Sequence, residues 1–327
     1  MNITNIPKVE LHVHLDGSVR PSTIAELTNK KESDIYKDTI ANEKCLDLND
    51  YLTKFTLPVS IMQTKENLER ISYELACDLK KDGVIYAEVR FAPLKHINNN
   101  LTKEEVVDSV LKGITKSDID INLILCMMRD MSYEENKQVI DLAYKYKGKK
   151  VVAIDLAGAE SLYPTKNFKN LFEYAKKLNI PYTIHSGEAD GVDSIRSAIE
   201  FNTKRIGHGV RIIEDTSLIN IIKKENILLE ICPTSNIQTN VIDTYENHPL
   251  KTLYKNNCLV CINTDNRTVS NITLSKEYEL VLKYLNLTIK DLIEMNKIAI
   301  NHSFATKETK NKILNIITNY QKDINQA

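Results

Sequence analysis

Eight short apolar runs, each ending in polar or charged residues, constrain the fold of this chain more than any other feature. The runs are rich in Val, Ile and Leu, and most precede a stretch with the apolar spacing of an amphipathic helix. They are KVELHVHLDG, VIYAEVRFAP, INLILCMMRD, KVVAIDLAGAE, IPYTIHSGE, KRIGHGV, ILLEICPTSN and CLVCINTDN. Their continuous apolarity is typical of parallel strands covered on both faces. Eight strand–helix units predict an α/β fold, a (β/α)8 TIM barrel.

The spacing of the runs also predicts helices outside the regular barrel. Residues 18–80 separate the first two runs by more than one helix, and they include the helical patterns SVRPSTIAEL and KENLERISYELACDLKKDG. We expect these helices, inserted after strand 1, to lie over the catalytic end of the barrel. There Leu52, Phe55 and Leu57 form either core packing or an apolar lid. Three helical patterns from Leu274 onward predict closing helices. Because no Gly/Ser-rich or Pro-rich linker interrupts the sequence, we expect a single domain over residues 1–327.

Composition excludes several classes of partner. Lys and Arg total 43 against 44 for Asp and Glu, so the chain lacks a positive field that would attract nucleic acid or anionic lipid. The first residues show no secretory pattern, and no run of about 18 apolar residues occurs. The six cysteines are sparse, which suits a reducing compartment. We therefore expect a cytoplasmic protein with no nucleic-acid or membrane partner, whose oligomeric state the sequence leaves open.

Four of the seven histidines fall at the ends of predicted strands. His12 and His14 are two residues apart in the first run, so a strand directs both imidazoles to the same face. His185, His208 and Asp265 end the fifth, sixth and eighth runs. The carboxyl ends of barrel strands meet at one end, where catalytic groups collect. Imidazole and carboxylate ligands with an open position are typical of a catalytic zinc site.

A candidate proton donor follows the third of these histidines. Glu188 lies three residues after His185 in the segment HSGE, and Gly187 between them permits a tight turn. A carboxylic acid beside a metal site could donate a proton to substrate. Arg90, Asp155 and Glu230 also lie near strand ends, where we interpret them as hydrogen-bonding support for the metal ligands.

Taken in order, the motifs resemble those of the adenosine deaminase family in the amidohydrolase superfamily. The similarity extends along essentially the whole chain, through VELHVHLDGS, EVRFAP, IDLAGAE, HSGE, GHG, EICPTSN and NTDN. The resemblance implies one Zn²⁺ per chain, held by His12, His14, His185 and Asp265. It implies that His208 orients a zinc-activated hydroxide, that Asp265 assists as a proton acceptor, and that Glu188 protonates purine N1.

The resemblance also implies how a purine nucleoside is held. Asp16, with His14 beside it, would accept a hydrogen bond from the ribose 5′-hydroxyl and repel a 5′-phosphate. The backbone NH of Gly158 would contact purine N3, and Asn266 would face N7. Better-known members of the family have Asp at the position of Asn266, but an Asn amide donates to N7 without protonation. The implied reaction is hydrolysis of adenosine, and of 2′-deoxyadenosine, to inosine or deoxyinosine and ammonia in purine salvage.

Three alternatives remain open at this stage. A related deaminase could act on adenine or on N6-substituted adenine nucleotides, although adenine deaminases typically carry Glu where this chain has Asp16. A binuclear amidohydrolase would commonly need a lysine at the end of strand 4, where this chain reads Asp155-Leu156-Ala157-Gly158. A binding protein on a decayed barrel would be expected to lack metal ligands or Glu188. Substrate competition separates the first alternative from adenosine deamination.

Overall fold

The computed structural model describes residues 2–326, and it contains the eight predicted strands in the predicted order. Each apolar run contributes one strand, and its polar residues follow at the carboxyl end. The strands are β1 (Lys8–His14), β2 (Val84–Phe91), β3 (Asp120–Met128), β4 (Val151–Ala157), β5 (Ile184–Ser186), β6 (Arg205–His208), β7 (Leu228–Ile231) and β8 (Leu259–Ile262).

The strands form one parallel barrel. β1 to β4 pair in sequence order, and so do β5 to β8. Two single bridges join these halves, because Ile154 pairs with Tyr182 on one side and Val13 pairs with Asp265 on the other. The second junction is reinforced where the His14 amide donates to the Asp265 carbonyl at 2.7 Å. Because Asp265 bonds to β1 in this way, a residue beyond the end of β8 lies beside the histidines of β1.

Five helices occupy the segment between β1 and β2, as the spacing predicts. They are α1 (Pro21–Thr28), α2 (Glu32–Thr39), α3 (Leu48–Leu52), α4 (Thr56–Ile61) and α5 (Lys65–Lys81). Asp47 is the N-cap of α3, where its side chain accepts from the Asp50 amide. Thr64 is the N-cap of α5, where its side chain accepts from the Asn67 amide. α5 packs against α6 (Lys103–Ile114) and β2 as a barrel helix, whereas α3 lies over the carboxyl ends of the strands.

The remaining helices alternate with strands or close the barrel. Those between strands are α7 (Tyr133–Lys145), α8 (Lys169–Lys177), α9 (Val192–Glu200), α10 (Thr216–Lys224), α11 (Pro233–Gln238) and α12 (Leu250–Lys255). The predicted tail helices are confirmed as α13 (Leu274–Leu285), α14 (Ile289–His302) and α15 (Lys307–Gln326). Short 3-10 helices span Ile3–Asn5, Thr53–Phe55, Pro93–His96, Thr165–Phe168 and Val210–Glu214. α14 packs on β1 and β8, and the Asn296 side chain accepts from the Val9 amide at 2.7 Å.

A hydrophobic cluster fills the space between strands and helices from Ile6 to Ile317. All six cysteines are free, and Cys258 and Cys261 are buried in apolar packing at β8. Within residues 2–326, no helix combines the length and apolar composition that crossing a bilayer requires.

Candidate active site

The predicted histidines and Asp265 converge at the carboxyl end of the barrel. One ligand atom from each of His12, His185, His208 and Asp265 lies within 4.8 Å of all the others. His14 joins them, since its Nε2 is 3.2 Å from His185 Nε2 and 3.4 Å from Asp265 Oδ1. His12 Nε2 is 3.3 Å from the same carboxylate oxygen. The strand ends therefore bring together the five groups that the sequence selects for metal chemistry.

Two members of this group have unusual backbone conformations. His208 has a φ of 60° and Asp265 a φ of 62°, whereas the other non-glycine residues with positive φ in residues 2–326 are Asn residues and Lys150. The left-handed region costs a residue such as His about 1–3 kcal/mol, and it persists where surrounding contacts determine it. The backbone is thus bent to direct these two side chains toward the group.

Buried carboxylates hold two of the imidazoles from behind. His12 Nδ1 is 3.0 Å from Glu230 Oε2, and His185 Nδ1 is 2.9 Å from Asp155 Oδ2. Arg90 joins these acids, donating to Asp155 and to Glu230 at 2.7 Å each. Because each Nδ1 faces a carboxylate, each Nε2 is left to face the other members of the converging group. The predicted supporting role of these three residues agrees with the contacts, and they lie within the barrel below the strand ends.

Glu188 is buried beside this group. Its Oε2 lies 3.5 Å from His208 Nε2, and only 3% of the residue is exposed. Burial, followed by the charges of Asp265 and Glu160, raises the pKa of Glu188 well above its ordinary value. Burial alone would raise the pKa of Asp265 too, but the neighbouring imidazoles, His12 first, hold it well below its ordinary value. Two carboxyl groups of one site are therefore shifted in opposite directions, Glu188 toward the protonated form and Asp265 toward the ionised form.

Glu160 fixes the turn that carries Glu188, a role that the sequence analysis missed. Its carboxylate accepts from the amides of Gly187 at 2.6 Å, Glu188 at 3.0 Å, Ala189 at 2.7 Å and Asp190 at 3.0 Å. The side chain is buried. The signal available in the sequence was an acidic residue closing the fourth apolar run, five residues after Asp155.

Consecutive residues at the start of α11 contact two members of the converging group. Ser235 Oγ donates to Asp265 Oδ2 at 2.6 Å, and Asn236 Nδ2 lies 3.1 Å from His208 Nδ1. His248 in turn contacts Asn236 at 3.3 Å. Ser235, Asn236 and His248 were not among the predicted site residues, although two of them belong to the segment EICPTSN.

A cavity of about 620 Å³ opens above the converging group. That volume is within the range of small-molecule sites. Its apolar wall combines residues of the inserted segment with strand-end residues, namely Leu48, Tyr51, Leu52, Phe55, Ala92, Cys126, Met128 and Ala157. Leu52 and Phe55 line the cavity, as the lid interpretation requires, whereas Leu57 packs against the main hydrophobic cluster.

The residues predicted to hold substrate line the same cavity. Asp16 is buried, which raises its pKa to about 6, and its carboxylate lies 4.0 Å from His14 Nδ1. Gly158 lines the cavity with a φ of 102°. Glycine adopts this backbone conformation without strain, whereas residues with a side chain rarely do. Asn266 Nδ2 donates to the hydroxyl of Tyr51 at 3.0 Å.

The chain is similar to known proteins along nearly its whole length. The family model described as adenosine deaminase matches residues 7–320. A curated adenosine deaminase of Clostridium perfringens is 42% identical over 96% of this chain and 98% of its own length. The solved structure of an Arabidopsis N6-mAMP deaminase is 27% identical, with a TM-score of 0.88 over 97% and 99% of the two chains. An amidohydrolase of Burkholderia ambifaria, solved with bound zinc, shares the fold at 21% identity, with a TM-score of 0.90 over 99% and 93% of the chains.

Proposed function

This chain belongs to the adenosine deaminase family, and on that premise we propose that it hydrolyses adenosine and 2′-deoxyadenosine to inosine or deoxyinosine and ammonia. The observation that carries the proposal is the pair of oppositely shifted carboxyl groups, Glu188 and Asp265, beside converging imidazoles and below a nucleoside-sized cavity. Such a pair assigns an acid and a base within one site.

One Zn²⁺ fits the donor set, and His12, His14, His185 and Asp265 would hold it. Ligands about 2.0–2.2 Å from a tetrahedral zinc lie roughly 3.3–3.6 Å from one another. The observed separations among these ligand atoms are 3.2, 3.3 and 3.4 Å, so two lie within that range and the third is about 0.1 Å short of it. His12 Nε2 is buried and lacks a hydrogen-bond partner among residues 2–326. His208 belongs to the same cluster, but its Nε2 faces Glu188 instead. Bound zinc supplies hydroxide near neutral pH.

The residues around the metal would then move two protons. Asp265, which is ionised, accepts a proton from the attacking water. His208 contacts the attacking oxygen and holds it in line with C6 of the purine. Glu188, which is protonated, donates to N1 as C6 becomes tetrahedral, and this neutralises the charge developing on the ring. The amino group then takes the proton held by Asp265, and the C6 hydroxyl gives its proton to the Glu188 carboxylate. Ammonia leaves as C6 becomes the carbonyl carbon of the 6-oxopurine, and both carboxyl groups regain their starting states.

Four residues would recognise the nucleoside. Asp16 and His14 would contact the ribose 5′-hydroxyl, and the Asp16 carboxylate would repel a 5′-phosphate. The Gly158 amide would donate to N3 and the Asn266 amide to N7. The proposal includes one catalytic domain over residues 1–327, supported by the hydrophobic cluster that extends from Ile6 to Ile317. It also includes a cytoplasmic role in purine salvage without a nucleic-acid partner, supported by six free cysteines and balanced charge.

A substrate panel tests the reaction. Adenosine, 2′-deoxyadenosine, adenine, adenosine monophosphate and N6-methyl-AMP are followed by ultraviolet absorbance with the zinc-loaded protein, before and after chelation. We expect rapid loss of adenosine that requires zinc. The substitution Glu188→Gln should lower kcat by about 10²–10⁴-fold, because it removes the general acid without changing the size of the side chain. Glu173→Gln, on the exposed surface of α8, is the matched control.

Each result of the panel has a definite meaning. If a nucleotide or adenine reacts faster than adenosine, the role of Asp16 is wrong and the alternative deaminase activity replaces the proposal. The structural similarity to an N6-mAMP deaminase makes that comparison necessary. If folded, zinc-loaded protein turns over none of the five compounds, the deaminase proposal is wrong.

A further inference from the structure

We propose that His248 and Asn236 are positioning residues that fix the proton of His208 on Nε2. The structure assigns this through a chain of hydrogen bonds from the Leu250 amide through His248 and Asn236 to His208. The chain begins at a backbone amide and ends beside Glu188. All three side chains are buried, with His248 3% exposed, Asn236 0% and His208 1%.

The backbone amide sets the direction of the first hydrogen bond. Leu250 is the first residue of α12, so its N–H has no partner within the helix. It donates to His248 Nδ1 at 3.1 Å. A backbone N–H can only donate, so His248 Nδ1 must be the unprotonated nitrogen. Burial lowers the pKa of His248 to about 3, so the ring is neutral and carries its one proton on Nε2.

The protonated nitrogen of His248 determines which way the Asn236 amide points. His248 Nε2 lies 3.3 Å from Asn236 Oδ1, so the amide oxygen accepts there. The reverse orientation would have Asn236 donating to His248 Nε2 while Leu250 donates to Nδ1. That arrangement leaves the imidazole with no proton on either nitrogen, which a neutral ring cannot satisfy. The Asn236 Nδ2 group must therefore face His208.

The last hydrogen bond places the proton of His208. Asn236 Nδ2 donates to His208 Nδ1 at 3.1 Å, so Nδ1 is the acceptor and a neutral His208 carries its proton on Nε2. That nitrogen faces Glu188 Oε2 at 3.5 Å. His208 thus enters the reaction as a hydrogen-bond donor to oxygen, and neither ring nitrogen is free to accept the first proton.

The same helix start supports the alternative proton acceptor. Asp265 and His208 are the two groups that could compete as the base. Ser235 donates to Asp265 Oδ2, whereas the next residue, Asn236, donates to His208 Nδ1, so the two groups have different roles. Asp265 accepts the proton of the attacking water, and His208 holds the oxygen. This assignment rests on the proposed deaminase reaction, whereas the proton position in His208 does not.

Nitrogen NMR tests the proton position directly. The zinc-loaded protein is labelled with ¹⁵N-histidine, and the His208 signals are identified by their loss in a His208→Gln variant. Two-bond couplings then show which ring nitrogen carries a proton. We expect a protonated Nε2 and a bare Nδ1. A proton on Nδ1, or a bare Nε2 bound to zinc, overturns the proposal even if adenosine is deaminated.

Two variants test whether the hydrogen-bonded chain keeps the proton of His208 on Nε2. Asn236→Asp offers His208 Nδ1 an acceptor in place of a donor, so we expect Nδ1 to become protonated and kcat to fall by about 100-fold or more with little change in KM. His248→Gln can still accept from Leu250 and donate to Asn236, so it should keep the His208 signals and a kcat within about five-fold of the wild type.

The outcomes separate this proposal from the deaminase proposal. An unchanged His208 spectrum in Asn236→Asp shows that the hydrogen-bonded chain does not set the proton position of His208. If that variant fails to fold, His248→Leu replaces it and should disturb the His208 signals where His248→Gln does not; equal spectra for these two variants overturn the proposal. If no substrate reacts with the wild type, the spectra still decide where the proton lies.

Discussion

The barrel buries charge in two opposite ways within a few ångströms. The support layer, which consists of Glu88, Arg90, Asp155, Arg205 and Glu230, lies inside the barrel below the strand ends and is fully buried. The mouth group, which consists of His14, Asp16, Glu188 and Asn266, lines the cavity above it. Charged side chains in the support layer have several partners, whereas those in the mouth group have few.

Glu230 shows how the support layer is satisfied. Its two oxygens receive hydrogen bonds from His12, Arg90, Arg205 and Thr183 at 2.6–3.0 Å. Burial alone would raise the pKa of Glu230, but the guanidinium groups of Arg205 and Arg90 outweigh it and hold that pKa well below its ordinary value. Glu230 is therefore held in its ionised form, in which it orients the His12 imidazole.

The mouth group shows the reverse. Asp16 Oδ1 and Asn266 Oδ1 are buried without a hydrogen-bond partner in the part of the chain that the structure describes, and the pKa values of Asp16 and Glu188 are raised by burial. Unpaired buried polar atoms cost about 1–3 kcal/mol each. The barrel therefore satisfies charge where it needs a rigid support, whereas at the cavity it leaves the Asp16 carboxylate an unpaired acceptor to which a substrate hydroxyl can donate.

Removal of the Glu230 charge should have the strongest effect on stability and zinc affinity, and it tests whether the support layer is rigid. Glu230→Gln leaves Arg90 and Arg205 facing a neutral amide, and breaking a buried ion pair typically costs about 3–5 kcal/mol. We expect the free energy of unfolding in urea to fall by that amount and zinc affinity to fall by about 10–100-fold. Because the Glu230 pKa is lowered in the folded state, the stability it provides is present above about pH 4.3 and is lost below it.

A surface glutamate provides the matched control. Glu225 pairs with Lys204 at 3.4 Å, and both side chains are about half exposed. Glu225→Gln should change the free energy of unfolding by less than about 1 kcal/mol. If Glu230→Gln were no more destabilising than this control, the support layer would not be the rigid element that the comparison requires.

Glu277 has a buried, partly unpaired carboxyl group that lies outside the cavity, so it tests whether such a group must be functional. In α13, Glu277 Oε1 accepts from the Thr234 amide at 3.0 Å, while Oε2 lacks a hydrogen-bond partner within residues 2–326. Burial raises its pKa to about 8, yet the residue does not line the cavity. The folded state keeps this proton while the unfolded chain releases it near pH 4.3, so stability falls as pH rises from about 4.3 to about 8.

Glu277→Gln removes that titration. Relative to the wild type, the variant should gain stability between pH 5 and pH 8, by a few kcal/mol at most, with kcat close to the wild-type value. Urea unfolding of the zinc-loaded proteins at several pH values measures the difference. Parallel stability profiles for the two proteins, or a large loss of kcat, would contradict this account of Glu277.

Much of the architecture and the convergence of the histidines could be predicted because they depend on local periodicity. Two-residue alternation places His12 and His14 on one face, and the parallel strands place His185 and His208 at the same end. The hydrogen-bonded chain through His248 could not be predicted, because the approach of that residue to Asn236 depends on how residues 239–249 fold. The left-handed backbone at His208 and Asp265 is equally invisible in the sequence, since neither residue is glycine.

The smallest expected effect concerns Asn266, in the mouth group. Its side chain lies against Gly17, where a Cβ atom would be only 1.9 Å from Asn266 Oδ1, so the amide has a fixed place. Nδ2 gives one hydrogen to Tyr51 and has a second for purine N7. Asn266→Asp keeps the shape, and the Tyr51 hydroxyl can donate to the new carboxylate instead, but the acid must be protonated to donate to N7.

We therefore expect Asn266→Asp to lower kcat/KM for adenosine by about ten-fold or less at neutral pH, with activity decreasing further as pH rises and the introduced acid ionises. The loss should be specific for N7. Inhibition by 7-deazaadenosine, which has no acceptor at that position, should weaken much less than adenosine turnover does, and the exposed substitution Asn301→Asp should affect neither. Equal losses for the two ligands would place Asn266 away from N7, and its second amide hydrogen would then have a role other than purine recognition.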